Sequence, residues 1–376
     1  MDGMNPGGRE PAILVLNGGS SSVKFALYDS RQARPALLFR GAIPTPASCA
    51  RADRLLRRLA SELRARGFPP PAAVGHRLVH GGPRLFAPTR ITPAIRSRLE
   101  QAVEFAPLHL PAELALVDAV ARTYPGVRQI ACFDTAFHRT MPARVRRLPL
   151  ARELTAGGVE RYGFHGLSCE SIVRTLGTAA LHRAVIAHLG GGASLTAVRE
   201  GRSIDTTMGF TPAGGVMMGT RSGDLDPGII VHWWRRGRHS PDELEALVNH
   251  ESGLKAIGGS GDIQELLGRK RRPAARLALK MFSAQVRQRI AALSAELGGI
   301  DTLVFTGGAG EASSTLRREI CGGLEFLGIN LDAARNRANA RSIHTRSSPC
   351  RVHIVQAAEE AVIARHVQRI LRRHQG

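Results

Sequence analysis

The chain contains the same short unit twice: a strand, a turn rich in glycine and serine, and a second strand. The first copy is LVLNGGSSSVKF, residues 14–25. In the second copy, the apolar residues 184–189 precede GGGAS, residues 190–194. Aligning residues 18–21 with residues 191–194 superposes the two copies. Self-similarity of this kind indicates a repeated structural unit and outweighs any single motif. The repeat therefore predicts two related α/β domains, each with one polar hairpin.

The composition of the first hairpin suggests that it binds an anion. Asn17 and Gly18 alone would suffice for a tight turn, yet the corner also carries three serines and Lys24, one of four lysines in the chain. Hydroxyl groups, backbone N–H groups and an ammonium group together suit phosphate. Either hairpin alone could be an ordinary surface turn. Two of them facing each other across a cleft could hold a polyphosphate from both sides.

The order of apolar and polar segments predicts β-β-β-α-β-α-α-β for the first part of the chain. Strands are expected near 12–17, 23–28, 37–41, 73–80 and 127–134, and helices near 52–66, 93–105 and 111–123. A basic connector at 139–152 separates this part from the second copy of the repeat. Further on, a strand at 301–305 leads into TGGAG and then a helix that begins near 311–314, with Ser313 or Ser314 as its cap. A strand, a glycine loop and a helix N-terminus in this order are typical of nucleotide-binding corners.

The net charge of +21 suggests nucleic acid as one possible partner. The 52 basic residues are spread along the chain, however, the one dense basic run is at 269–272, and aromatic residues make up 5%. We therefore expect a solvated arginine-rich surface that attracts anionic metabolites, and no nucleic-acid partner. No apolar run reaches the roughly 18 residues of a membrane span, and the first eleven residues lack the apolar core of a signal peptide. Five scattered cysteines without a CxxC pair favour reduced thiols and a cytoplasmic location.

Several segments carry polar residues that ordinary turns do not need. Each one alone could be structural, since an arginine at a strand end can pair with a carboxylate. No Walker A sequence and no HRD or DFG triplet is present, so nucleotide binding would need another scaffold. The segments are GHRLVHGG at 75–82, FDTAFH at 133–138, RYGFHG at 161–166, DTTMGFTP at 205–212, MMGTRSGDLDP at 217–227 and FTGGAGE at 305–311.

Together with LVLNGGSSSVKF, these segments follow the order found in the acetate and propionate kinases. From Leu14 to about Arg365, the chain resembles this acetokinase family, a branch of the sugar-kinase, Hsp70 and actin superfamily. The resemblance implies an α/β fold of two duplicated actin-like (ribonuclease H-like) domains with a cleft between them. The first domain would span 12–150 together with the C-terminal helix at about 360–376, and the nucleotide-binding domain would span 151–359.

The resemblance also implies a role for each matching residue. Mg²⁺, or Mn²⁺ in its place, would be held by Asn17 and Glu359. The catalytic residues would be Arg77, Asp134, His165 and Arg221. The acyl group would lie among Val79, Leu108, Phe164 and Pro212, beside Arg77. ATP or ADP would be bound by Ser20, Ser22, Lys24, His188, Leu189, Gly190, Gly191, Gly192, Asp262, Ile263, Gln264, Gly307, Gly308, Ala309, Gly310 and Glu311.

The implied reaction is reversible, Mg²⁺-dependent transfer of the γ-phosphoryl group of ATP to acetate, by a homodimer. A carboxylic acid with a pKa of roughly 4 to 5 is already ionised at neutral pH, so the reaction needs no general base. Positioning and cationic stabilisation carry the catalysis instead. His165 is then expected to donate a hydrogen bond to phosphoryl oxygens, and Asp134 to orient its neighbours and the metal.

The chain departs from the family pattern mainly on the nucleotide side. Gly191 and Ala312 stand where the family has asparagine, and Gln264 stands where it has arginine. Two alternatives therefore stay open: propionate or another short-chain acid as acceptor, and pyrophosphate or another nucleoside triphosphate as donor. A different class, an ATP-dependent conformational protein like Hsp70 or actin, has no use for an acyl pocket beside paired arginines.

Overall fold

The computed structural model describes residues 12–19, 22–44, 49–237 and 239–373. The described residues divide into two compact units, one from the ranges 1–136 and 358–376 and the other from 137–357. The predicted domain limits, 12–150 with the final helix and 151–359, stay predictions. Among the described residues, no helix combines the length and apolar character needed to cross a bilayer.

The first unit begins with a mixed sheet and three helices. The strands β1 and β2 form the predicted hairpin, and β1, β4 and β6 are parallel. In the six-stranded sheet, the order is β3-β2-β1-β4-β6-β5. The elements are β1 Ala12–Gly18, β2 Ser22–Asp29, β3 Ala36–Pro44, α1 Cys49–Ala65, β4 Ala73–Leu78, β5 Thr89–Arg90, α2 Pro93–Gln101, α3 Leu110–Thr123 and β6 Arg128–Phe133.

One core of the first unit lies between this sheet and helices α1 and α3. Apolar side chains from alternate positions of β1 and β2 pack against one face of α1, which contributes Leu56, Leu59 and Leu63. Helix α3 adds Leu116 and Val120. Burial of these side chains is the main stabilising contribution to the unit.

The second unit repeats the strand arrangement of the first. Its five-stranded sheet has the order β11-β10-β7-β8-β9. The elements are α4 Ala143–Arg146, α5 Arg152–Thr155, α6 Gly166–Leu176, β7 Arg183–Leu189, β8 Ala193–Arg199, β9 Arg202–Thr206, α7 Pro227–Arg235, α8 Pro241–His250, α9 Gly253–Gly258, α10 Ile263–Gly268, α11 Pro273–Leu297, β10 Thr302–Thr306, α12 Gly308–Ala312, α13 Ser314–Cys321, α14 Ala333–Arg337 and β11 Arg351–Ile354.

Five strands of the first sheet have the same topology as the five strands of the second, which confirms the predicted duplication. In each, an antiparallel three-stranded meander continues into two parallel strands: β3-β2-β1 into β4 and β6, and β9-β8-β7 into β10 and β11. Local sequence signals determine where several of these helices begin and end. Ser240 and Glu243 form a capping box at the start of α8, and α11 begins with Pro273 and ends at Gly298 in the left-handed conformation.

The final helix, α15 Glu359–Arg373, belongs to the first unit and packs on its sheet. A Cβ atom at Gly75 of β4 would lie 2.6 Å from Ile363 and 2.7 Å from Val367. Glycine at this position therefore lets the helix approach the sheet closely. As a consequence, the N-terminus of α15 lies at the end of β1.

The structure corrects the sequence-based prediction around the third glycine loop. Residues 308–310 begin the short helix α12 rather than a loop, because Gly307 ends β10 with φ of 78°. The chain is extended again at Ser313, and α13 starts at Ser314. Ser313 caps α13 as predicted, since its hydroxyl accepts a hydrogen bond from the Leu316 N–H at 3.2 Å. Helices α4 to α10 and α14 and strands β5, β9 and β11 were not predicted from the sequence.

Candidate functional site

Three polar residues form a row across the first sheet. Lys24 of β2 and Arg77 of β4 are the register partners of Asn17 on β1. Partners in adjacent strands share one face of a sheet, so two cationic side chains flank the Asn17 amide. Ser22, at the start of β2, is half-buried. Ser20, which was predicted to bind the nucleotide, lies outside the described residues.

The Arg77 guanidinium group is held from three sides. Its Nε and Nη2 atoms donate to Oδ2 of Asp134 at 3.1 and 2.5 Å, and its Nη1 donates to the Gly18 carbonyl at 2.5 Å and to Oε1 of Glu113 at 3.3 Å. Burial disfavours the charge, but Asp134 and Glu113 outweigh that effect and raise the pKa of Arg77. A guanidinium group has five N–H donors. Four of these donors contact residues that the structure describes, and one Nη2 donor has no partner among them.

Glu113 is a site residue that the sequence reasoning did not identify. It lies in α3, is 6% exposed, and accepts a hydrogen bond from the Val79 N–H at 2.8 Å as well as the Arg77 contact. Burial raises its pKa to about 7, against the lowering effect of Arg77. The available signal was an acid within an apolar helical stretch, LPAELALV. Glu113 ties the orientation of Arg77 to the backbone beside the predicted acyl pocket.

The predicted metal ligands lie within hydrogen-bond distance of each other. The Asn17 amide donates to Oε2 of Glu359 and to Oε1 of Glu360, both at 2.9 Å. Loss of hydration raises the pKa of Glu359, and the negative charge of Asp134 raises it further. The helix α15 thus brings two carboxylates to the end of β1.

This carboxylate-rich corner fits a hard divalent cation. Oδ1 of Asp134 is buried and has no hydrogen-bond partner among the described residues, and Glu359 lies close enough to repel Asp134. A cation would give Oδ1 of Asp134 a partner and would reduce the repulsion between Asp134 and Glu359. The described residues contain no ready group of three or more His, Cys, Asp or Glu ligands. Mg²⁺ suits such a site, because it keeps several waters and binds through one or two carboxylates plus substrate phosphates.

Two stacked histidines form the centre of the second unit's polar site. The rings of His165 and His188 lie 4.2 Å apart at 16°. Nδ1 of His165 is 2.9 Å from the Ser194 hydroxyl, and Nδ1 of His188 is 2.8 Å from the Ser168 hydroxyl. His165 has φ of 59° just before α6, a conformation that costs energy for a residue other than glycine. The two serines thus fix the orientation of both rings.

Arg221 lies beside this histidine pair. A Cβ atom at Gly192 would be 3.2 Å from the His165 ring and 3.6 Å from Nη1 of Arg221. Nη1 of Arg221 also donates to the Pro212 carbonyl at 3.2 Å. The structure therefore brings together His165, His188 and Arg221, which are far apart in sequence.

The two predicted nucleotide loops of the second unit are neighbours. A Cβ atom at Gly190 would be 3.7 Å from the Gly308 nitrogen, and one at Gly307 would be 2.8 Å from the Leu189 carbonyl. At Gly191 a Cβ atom would meet nothing within 4 Å. Gly191, which stands where the family has asparagine, thus faces open space among the described residues. Ala309 and Gly310 are buried within α12.

Other predicted nucleotide residues are engaged in local structure. Asp262 caps α10, accepting from the N–H groups of Gln264 at 2.7 Å and Glu265 at 3.5 Å, and Ile263, the first residue of that helix, is buried. Glu311 accepts from the Gly307 N–H at 3.0 Å and the Thr306 hydroxyl at 3.3 Å. These contacts shape the loops, and nucleotide contact by these residues stays a prediction.

Arg317 was also missed by the sequence reasoning. It is fully buried and donates to the carbonyls of Gly310 and Glu311 at 2.8 and 2.9 Å and to Oδ1 of Asn336 at 2.9 Å. Burial lowers its pKa to about 10, so it stays charged at neutral pH. It anchors the end of α12, and an amphipathic helix sequence gives no sign of such a buried charge.

The predicted acyl-pocket residues are divided between the two units. Val79 and Phe164 are 2% and 1% exposed, Pro212 is buried, and Leu108 is 42% exposed. Val79 and Leu108 belong to the first unit, and Phe164 and Pro212 to the second. The pocket itself stays a prediction.

Comparison with known proteins identifies the family. The sequence model of the acetokinase family matches residues 50–365. The acetate kinase of Rhodopseudomonas palustris strain TIE-1 is 39% identical over 389 residues, covering 95% of this chain and 98% of that protein. The acetate kinase of Thermosynechococcus vestitus is 43% identical over 309 residues, covering 79% of this chain and 74% of that protein.

Solved structures agree in fold. Porphyromonas gingivalis acetate kinase matches with a TM-score of 0.82 at 33% identity, over 96% of this chain and 99% of that one. A propionate kinase from Francisella tularensis matches with a TM-score of 0.84 at 31% identity, over 94% of this chain and 98% of that one. The predicted actin-like α/β fold of two duplicated domains is thereby confirmed. The chain belongs to the acetokinase family.

Proposed function

We propose that this chain is an acetate kinase, a phosphotransferase with a carboxyl group as acceptor. In the forward direction, an acetate oxygen forms a bond to the γ-phosphorus of ATP while the bond from that phosphorus to the β,γ-bridging oxygen breaks. The products are acetyl phosphate and ADP. The observation that carries the proposal is the fixed Arg77 guanidinium, held by Asp134 and Glu113 beside Val79, in a chain of this family.

Arg77 is suited to act as a preorganised cation. Its contacts to Asp134, Gly18 and Glu113 set its plane before any substrate binds. Its remaining N–H donor can then donate to the negative charge that develops in the transition state, and the guanidinium group need not reorient. Electrostatic catalysis gains most from such preorganised donors. We propose that Arg221 supplies the second cation and that His165, oriented by Ser194, donates from Nε2 to a phosphoryl oxygen.

The proposal includes Mg²⁺, or Mn²⁺ in its place, which Asp134, Asn17 and Glu359 would hold. When bound, such an ion neutralises phosphate charge during transfer. The chain's own residues keep the carboxylates in place, through the Asn17 amide and its 2.9 Å contacts to Glu359 and Glu360. Titration with Mg²⁺ in the presence of ADP should raise the melting temperature, and Glu359→Gln should require a higher Mg²⁺ concentration for the same shift. An unchanged titration midpoint would remove Glu359 from the metal site.

The experiment that tests the proposed function measures transfer in both directions. Purified protein with ATP, Mg²⁺ and acetate should form acetyl phosphate, trapped as the hydroxamate, and acetyl phosphate with ADP should regenerate ATP. Parallel assays use propionate as the acceptor, and pyrophosphate or GTP as the donor. The donors are included because Gly191, Gln264 and Ala312 depart from the family pattern on the nucleotide side. Arg77→Ala is the negative control. Product formation with another acceptor or donor and none with acetate and ATP would contradict the proposal.

We also propose a homodimer. Helix α7 has no buried residue, and Trp234 and Val231 are 62% and 43% exposed, with Leu225 nearby in sequence at 41%. Large apolar side chains exposed in one segment indicate an association surface. Sedimentation should give a dimer at micromolar concentration, and Trp234→Glu should give a monomer. Cys132, Cys169, Cys321 and Cys350 are buried thiols outside any disulfide, which supports the further proposal of a cytoplasmic location.

A further inference from the structure

A pocket lies in the first unit, between the edge strand β3 and helix α1. Its volume is about 670 Å³, within the range of small-molecule sites. None of the residues assigned above to the acyl, metal or nucleotide sites lines it. The pocket therefore has no part in the proposed phosphoryl transfer.

The floor of this pocket is apolar and partly aromatic. Phe25 and Phe39 lie with ring centroids 5.8 Å apart, and Ile43, Leu55 and Leu59 complete the surface. A Cβ atom at Gly41 would come within 2.5 Å of the Phe25 ring. Glycine at this position therefore leaves room for the Phe25 ring, which forms part of the floor.

The rim of the pocket is strongly cationic. The lining includes Arg40, Arg51, Arg54, Arg58 and Arg66 and one acid, Glu62, so five positive charges and one negative charge leave a formal +4. Arg66 is already engaged: it donates to Glu62 at 3.1 and 3.3 Å, and its guanidinium carbon lies 4.4 Å from the centre of the Phe39 ring.

Two of these arginines are not neutralised. Neither Arg54 nor Arg58 makes an ion pair with any residue that the structure describes, and both are exposed. They lie four positions apart on α1, so they stand side by side one helical turn apart. Guanidinium groups bind the oxygens of carboxylates and phosphates through paired N–H donors. The pair thus presents an oxyanion site at the edge of an apolar pocket.

We propose that this pocket binds a free single-chain amphiphile with an anionic head group, a carboxylate or a phosphate. Arg54 and Arg58 hold the head group, and the alkyl chain lies on Phe39, Ile43 and Leu55. Among the residues that the structure describes, the pocket lining contains no Ser, Thr, Asn or Gln side chain. A nucleotide base or a sugar would therefore leave most of its polar edges without partners, at a cost of binding energy.

The test measures binding to the whole protein by isothermal titration calorimetry with decanoate and decyl phosphate, below their micelle-forming concentrations. Both should bind, and decyltrimethylammonium, which has the same chain and the opposite charge, should not. Affinity should rise by about fourfold for each added methylene from hexanoate to decanoate, the effect of burying one CH₂ group. Saturating acetate with Mg²⁺ and ADP should not displace decanoate, and Arg77→Ala should bind it normally. This separates the pocket from the proposed active site.

A matched pair of double variants tests the arginines. Arg54→Glu with Arg58→Glu should weaken decanoate binding by at least about 100-fold, roughly tenfold per lost charged contact. Arg57→Glu with Arg64→Glu changes the charge of the same helix equally, at residues that do not line the pocket, and should change binding by less than about twofold. Circular dichroism melting and basal acetate kinase activity verify that both fold.

Three results would overturn the proposal: equal weakening in both double variants, affinity independent of chain length, or decanoate displaced by acetate. Tighter binding of ATP, of anionic vesicles or of single-stranded DNA that depends on Arg54 and Arg58 would assign the arginines to a different ligand and overturn it as well.

Discussion

Arg77 donates two hydrogen bonds to the same oxygen of Asp134, Oδ2, at 3.1 and 2.5 Å, and leaves Oδ1 of that buried carboxylate without a partner among the described residues. Oδ2 accepts both hydrogen bonds from the guanidinium group, and Oδ1 accepts none from the residues that the structure describes. In the proposed mechanism, this carboxylate would link the arginine that binds the substrate to the metal that binds the phosphates.

Arg77→Lys should lower kcat for acetate by at least about 100-fold, the scale of losing one preorganised transition-state donor. A lysine ammonium group cannot contact Asp134, Gly18 and Glu113 together in the planar arrangement of the guanidinium group. Arg221→Lys should show a loss of similar size. Arg96→Lys, which alters an arginine paired with Asp118 and Glu100, is the matched control and should retain kcat within about twofold. Near-full activity of the Arg77→Lys enzyme would mean that the residue is only a counter-charge.

Glu113 should make the free energy of unfolding pH-dependent. Its pKa is raised to about 7 in the folded protein from 4.5, so the folded state holds the proton more tightly than the unfolded state. The resulting stability is fully present below pH 4.5 and is lost as the pH rises to about 7. For a shift of this size, the loss is on the order of 3 kcal/mol.

Glu113→Gln should flatten this dependence, because glutamine does not titrate. Urea unfolding between pH 4.5 and 8 should show a shallower slope for this variant than for the parent. Glu100→Gln, which removes an exposed carboxylate with 64% side-chain exposure, should leave the slope unchanged. Parallel slopes for the parent and Glu113→Gln would show that Glu113 titrates normally.

Ser194→Ala should lower kcat by about fivefold with little change in KM for acetate or ATP, since one orienting hydrogen bond to Nδ1 of His165 is worth about 1 kcal/mol. Ser203→Ala is the matched control. Ser203 is likewise a buried serine whose hydroxyl lies 3.0 Å from a histidine Nδ1, that of His138, but His138 has no proposed catalytic role. Steady-state kinetics of both variants decide the point: an equal loss in both would indicate a structural role only.

Val79→Ala should shift acceptor preference toward propionate and butyrate, mainly through KM, because the pocket binds a group that does not react. One methylene in an apolar pocket is worth about 1–3 kcal/mol, so acetate and propionate should differ by roughly 10- to 200-fold in kcat/KM. The measurement is kcat/KM for acetate, propionate and butyrate in the parent and the variant. An identical ranking in both would place the acyl group elsewhere.

The amino-acid sequence by itself determined the features that depend on neighbours along the chain. The repeated strand–turn–strand pattern predicted both hairpins, because alternating burial and turn residues act within a few positions. The strand limits near 12–17 and 73–80 agree with β1 and β4 to within a few residues, and the Ser313 cap was predicted correctly. The order of the motif segments was enough to indicate the family and its fold.

Only the tertiary structure decided which side chains meet and in what electrostatic environment. Glu113 of helix α3 reaches Arg77 of strand β4. Ser194 of strand β8 reaches His165, which precedes helix α6, and Arg317 of α13 binds Asn336 of α14. No local pattern marks these residues. Their hydrogen bonds and pKa shifts arise from burial, and burial depends on how distant segments pack. The free Oδ1 of Asp134 likewise follows from the placement of Arg77 beside it, which the sheet register sets and the sequence motif alone does not.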